Sequence, residues 1–90
     1  MFDELIGALE VVRDAIDSKD SEEALAALTF ALVQIVDLFG HSPKHFRVLV
    51  ELMEELKGYL EAKEFDEATA ITIGLLAKFR AVREAGMNLR

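Results

Sequence analysis

The chain has 90 residues, no Cys, one Pro, 52% apolar residues and a net charge of −7. That length is one domain, and without Cys the domain has neither a disulfide nor a thiolate metal site to brace it. The acidic balance argues against binding a nucleic-acid backbone.

A chain this short buries only roughly 60–65% of its unfolded surface. Its apolar content nevertheless exceeds the usual ~45–50%, which predicts self-association. The charge is uneven. Residues 1–40 carry nine acids (Asp3, Glu4, Glu10, Asp14, Asp17, Asp20, Glu22, Glu23 and Asp37) against Arg13 and Lys19. From Lys78 onward, four bases (Lys78, Arg80, Arg83 and Arg90) face only Glu84. The start, Phe2-Asp3-Glu4, lacks the basic segment of a secretory leader. The longest apolar run, Ala24 to Phe39, contains Gln34 and Asp37 and falls short of the ~20 residues a membrane span needs. A cytoplasmic protein with no membrane association is the expectation.

Phe2, Leu5, Leu9, Val12 and Ile16 recur at alternating steps of three and four, the seam of an amphipathic helix over 2–17. Gly7 weakens that helix by about 1 kcal/mol relative to Ala and leaves room for a close helix approach. Ser18-Lys19-Asp20-Ser21 is a break, and Asp20 with Glu23 reads as a capping box. The second helix, 21–39, is the central one. Leu25, Leu28, Leu32, Ile35, Val36 and Phe39 form its stripe, widened by Ala24, Ala27, Ala31 and Leu38, while Phe30 and Val33 lie on the opposite face. Gly40 suits a left-handed stop.

Ser42 as N-cap with Pro43 at the first position starts a third helix, 43–61. Its seam is Phe46, Leu49, Met53, Leu56 and Leu60. After Lys63-Glu64 a fourth helix, 65–85, carries Ala68, Ile71, Leu75, Phe79 and Val82, with Ile73 and Leu76 off that stripe. Gly86 is the expected stop, and 87–90 the expected frayed tail.

Shifted by 44 residues, the chain repeats. Phe2 falls on Phe46, Leu5 on Leu49, Leu9 on Met53, Val12 on Leu56, Ile16 on Leu60, Lys19 on Lys63 and Ala24 on Ala68. The expected fold is therefore all-α: a four-helix antiparallel bundle of two similar helical hairpins, 1–40 and 41–86, in a single domain.

Tyr59, the break Glu61 to Glu64, and then Phe65-Asp66-Glu67-Ala68 resemble the turn of a tetratricopeptide repeat. In that family a Tyr late in the first helix and an Ala early in the second pack together. The resemblance covers the second hairpin. The period of 44 differs from that family's ~34, the family's Gly, later aromatic and closing Pro are missing, and Ala15 stands where the first hairpin would carry its Tyr. What it implies is a helical-hairpin interaction module.

His41 and His45 are four apart, but Pro43 opens the helix between them, so the rings need not share a face. Glu51, Glu54 and Glu55 lack the Glu-x-x-His pairing of a di-iron bundle. There is no Gly-rich phosphate loop, and no nucleophile with a base to activate it. The sequence predicts no metal, no cofactor and no catalysis. It predicts an interaction or assembly module, a homodimer joined through the second apolar faces at Phe30, Val33, Ile73 and Leu76. The competing expectation is a small acidic regulator, a decoy or nucleic-acid mimic that binds a basic surface of a partner protein.

Overall fold

Three short breaks divide the chain into helices, and two of them are built identically. The computed structural model describes residues 2–88, with side chains through residue 85. Its helices are α1 (Phe2–Asp17), α2 (Ser21–Phe39), α3 (Pro43–Glu61) and α4 (Phe65–Asn88). After α1, the Asp20 N–H donates to the Ala15 carbonyl (2.8 Å) and the Lys19 N–H to that of Ile16 (2.9 Å). After α3, Glu64 donates to Tyr59 (2.8 Å) and Lys63 to Leu60 (3.1 Å). These are two Schellman turns, with every participant displaced by 44 residues. Their left-handed positions hold Lys19 at φ 55° and Lys63 at φ 59°.

The caps follow the chemistry of their residues. Asp20 accepts from the Glu23 N–H at 3.1 Å. Only half of a capping box forms, because the Asp20 N–H is already engaged by the Schellman bond to Ala15. Gly40 is right-handed, at φ −59° and ψ −23°, rather than left-handed. A Cβ there would stand 2.5 Å from the Val36 carbonyl oxygen, so this position is closed to a side chain by approach and not by φ. Helix α4 continues through Gly86 to Asn88, so Gly86 is not its stop. Of the tail expected to fray, 89 and 90 lie outside the described residues.

Each helix lies against two others: α1 against α2 and α4, and α3 against α2 and α4, with the diagonal pairs apart. The ring is a four-helix antiparallel bundle, 40 × 22 × 18 Å. Its core repeats with the turns. Leu5, Leu9, Val12 and Ile16 of α1 are matched 44 residues on by Leu49, Met53, Leu56 and Leu60 of α3, all buried. Ala24, Leu28, Ala31 and Ile35 of α2 are matched by Ala68, Thr72, Leu75 and Phe79 of α4, again all buried. Among the described residues Thr72 is the one buried polar residue, its hydroxyl donates to the Ala68 carbonyl at 2.8 Å, and no buried polar side chain is stranded. Ala68 is fully buried and Tyr59 packs partly buried against the same core. At the bundle end near residue 40, the rings of Phe2, Phe39 and Phe79 meet with centroids 5.9–6.2 Å apart.

In α2 and α4 the buried stripe is rotated from the expected one. Ala24 and Ala31 take the innermost places of α2, Leu25 and Leu32 sit only partly buried beside them, and Val36 is exposed. In α4, Leu76 is inside and Val82 outside. Small Ala residues facing the centre let α2 sit close to its neighbours, and larger side chains then occupy its flanks.

Leu56→Ala should cost about 2–5 kcal/mol in denaturant melts, because the site is enclosed. Leu32→Ala should cost clearly less, and equal losses would contradict the rotated stripe. Lys19→Gly and Lys63→Gly should each raise stability by up to ~1 kcal/mol by relieving the left-handed strain. A drop in the urea midpoint for both would contradict the Schellman assignment.

Candidate interaction surface

A helix in a four-membered ring turns part of its circumference to water. On most of this surface the outward residues are polar, as at Glu51, Glu54 and Glu55 of α3, all exposed. They are apolar at Val48 of α3, at Ile73 and Val82 of α4, and along the outer side of α2 with the adjoining flank of α1. Phe30 is 51% exposed, Val33 52% and Val11 44%. Phe30 and Val11 line a shallow groove between α1 and α2 together with Glu4, Gly7, Ala8 and Ala27. The floor is made of small residues, and a Cβ added at Gly7 would meet nothing within 4 Å. The expected close helix approach at Gly7 is therefore not present within this chain. The open space at Gly7 belongs to the groove.

The four residues expected to form one apolar surface do not come together. Phe30 and Val33 share the outer face of α2. Ile73 is half exposed on α4, which is diagonal to α2 across the ring. Leu76 is 1% exposed inside the core and is no part of any exposed face. The strict stripe through Ile71 and Leu75 hid this, whereas the 44-residue register maps Leu76 onto Leu32 at the α2 flank. Val11 was not anticipated. It follows Glu10 and precedes the core residue Val12, and only the position of α2 makes it part of a groove.

The charged residues in line with the groove's lining are acids. Residues seven apart on a helix lie nearly in line, about two turns along. Glu23, Phe30 and Asp37 therefore run along one line of α2, Glu4 and Val11 along one line of α1, and Gly7 and Asp14 along another. All four of these carboxylates are exposed. The acids on the other flank of α1 are matched by α4: Arg80 donates to Glu10 and Arg83 to Asp3, each at 2.6 Å. Arg13 sits loosely, at 4.0 Å, against the Asp14 carboxylate.

The start of α3 differs from expectation. Ser42 makes no side-chain bond to the helix N–H groups, and its Oγ lies 2.9 Å from His45 Nδ1 instead. His41 is exposed beside it. Among the described residues no three His, Asp or Glu side chains converge on a point that would hold a metal, and no helix is long and apolar enough to cross a membrane. A second groove, between α2 and α3, has Leu25, Leu28, Leu32 and Met53 at its base but mixes Lys57 with Glu54 and Glu61 at its rim.

No family model, curated protein or solved structure matches the chain.

Phe30 makes little use of the core, so Phe30→Gln should stay within ~0.5 kcal/mol of the parent in thermal or urea melts. Phe79→Ala, in the ring cluster, should lose about 3–5 kcal/mol. A large loss at Phe30 would mean that it supports the fold rather than an interface.

Proposed function

We propose that this protein is a non-enzymatic protein–protein interaction module and that its working surface is the α1–α2 face. One observation carries the reading: Val11 and Phe30 stand about half exposed along one groove, with Val33 half exposed on the outer face of α2, while small Ala residues fill inner positions of the same helix. Contiguous apolar patches of this kind on small proteins mark contact sites. A half-exposed Phe beside a cleft of small residues has the form of an interface anchor.

The face has two candidate occupants. Pairing with a second copy answers the apolar excess of so short a chain, and a two-fold contact would set α2 near its symmetry mate. The alternative is a partner protein with a basic surface, and what favours it is the concentration of acid in the first hairpin. Residues 1–40 hold nine carboxylates and two bases, whereas residues 41–90 hold eight of each.

A photoreactive phenylalanine analogue at position 30 tests the module itself, whichever occupant is correct. Irradiated in extract of its own host, the chain should give a discrete adduct, with itself or with another protein. The same probe at Glu51, on the outer face of α3, should give none. Equal labelling at both positions, or none at position 30, would overturn the proposal.

A further inference from the structure

Building on the interaction reading above, we infer that the α1–α2 groove receives a basic amphipathic helix of a partner protein. The groove offers an apolar centre at Val11, Ala27 and Phe30, which suits the apolar stripe of an incoming helix. Glu4, Asp14, Glu23 and Asp37 bracket that centre at seven-residue steps, all exposed. No Lys or Arg lies on those lines. A helix laid along α1 and α2 would therefore set its apolar residues against Phe30 and Val11, with carboxylates near both ends of the contact to pair with its flanking Lys or Arg. Charge complementarity of this kind raises the association rate and excludes acidic competitors.

The charge also ranks the occupants. A second copy seated on this face would bring another hairpin of nine carboxylates and two bases against the first. Like charges facing one another across an interface oppose association. Arg80 and Arg83 are already engaged with Glu10 and Asp3 on the far flank of α1. Of the four rim carboxylates only Asp14 meets a base among the described ion pairs, the loosely held Arg13 at 4.0 Å, so the face keeps most of its acidic rim, and that rim fits a partner richer in Lys and Arg.

The probe is a synthetic Leu/Lys amphipathic helix about five turns long, matched to α1 and α2, with a Leu/Glu helix of the same pattern as its control. Fluorescence anisotropy should show the basic peptide binding, more weakly as salt rises, and the acidic one not binding. Glu23→Lys with Asp37→Lys should weaken binding at least about tenfold. Glu51→Lys with Glu54→Lys makes the same change in net charge on α3 and should leave binding within about twofold. Circular dichroism on both double variants checks that they remain folded.

Equal weakening by the two pairs would reduce the effect to overall charge and overturn the inference. So would failure of the basic peptide to bind, or equal binding of the acidic one. Sedimentation separates the rival occupant. A parent dimer that Phe30→Glu disperses, and that the basic peptide does not displace, would make a second copy the occupant. The inference would then fail while the interaction module stood. If the position-30 crosslink also failed, both readings would fall.

Discussion

Each of the four helices touches two neighbours and is kept from the third, so only the side of a helix that faces the ring can be dry. This geometry decides which apolar residues hold the fold and which are left over. In α1 and α3 the apolar residues exceed what the inner side takes by little, leaving Val11 and Val48 half exposed, and the seams at alternating steps of three and four are buried except at the partly buried Phe2 and Phe46. In α2 the excess is larger. The places nearest the centre go to Ala24, Leu28, Ala31 and Ile35, and Phe30, Val33 and Val36 remain in water. Hydrophobicity alone would place the largest side chains innermost. Close packing reverses that here, since two Ala residues facing the centre let α2 approach its neighbours, and helix separation tracks the side chains at the contact. The leftover residues of α2 are therefore a consequence of which side faces the ring, and Phe30 among them lines the groove beside α1.

The same geometry sets what was legible in the sequence. Breaks and caps are local chemistry, so Ser18 to Ser21, Ser42-Pro43 and Lys63-Glu64 placed the helix ends without tertiary information. The seams of α1 and α3 were readable because polar residues mark their other faces. The inner stripe of α2 was not, because a helix apolar nearly all round offers periodicity no contrast with which to choose a face. In α4 the adjacent pair Leu75 and Leu76 are both buried, and Thr72 holds a core position by bonding its own helix. A strict apolar stripe could recover neither. The left-handed turns were missed because Lys occupies them, where Gly is the usual signal. The 44-residue register was the stronger guide. It equates Leu28 with Thr72, Ile35 with Phe79 and Lys19 with Lys63, and the structure keeps all three correspondences.

On the surface, Phe30 and Val33 could be read from α2 alone, since they oppose its stripe. Ile73 and Leu76 could not be assigned from α4 alone, because which flank α1 covers is a property of the ring. Val11 became visible only when α2 was placed beside it. The groove is thus half a sequence feature and half a packing feature.

The two hairpins agree in their cores and differ in their charges, and the difference falls where the interhelix seams are compared. Glu10 and Asp3 of α1 meet Arg80 and Arg83 of α4. At the corresponding positions of the α2–α3 seam, 44 residues away in register, stand Glu54, Arg47, Val36 and Phe39. The two hairpins share an apolar register and differ in their polar residues. Half-buried pairs at the surface such as Arg80 with Glu10 add about 0–1 kcal/mol to stability. Their larger effect is on distribution. Arg80 and Arg83 hold the acids on the α4 flank of α1, and on the α2 flank only Asp14 meets a base among the described ion pairs, Arg13 at 4.0 Å. An apolar groove beside a largely unmatched acidic rim then results from where four helices place their leftovers. Nothing in the fold requires the exposure of Phe30. The core is complete without that ring, and a polar residue there would leave every buried contact of α2 in place.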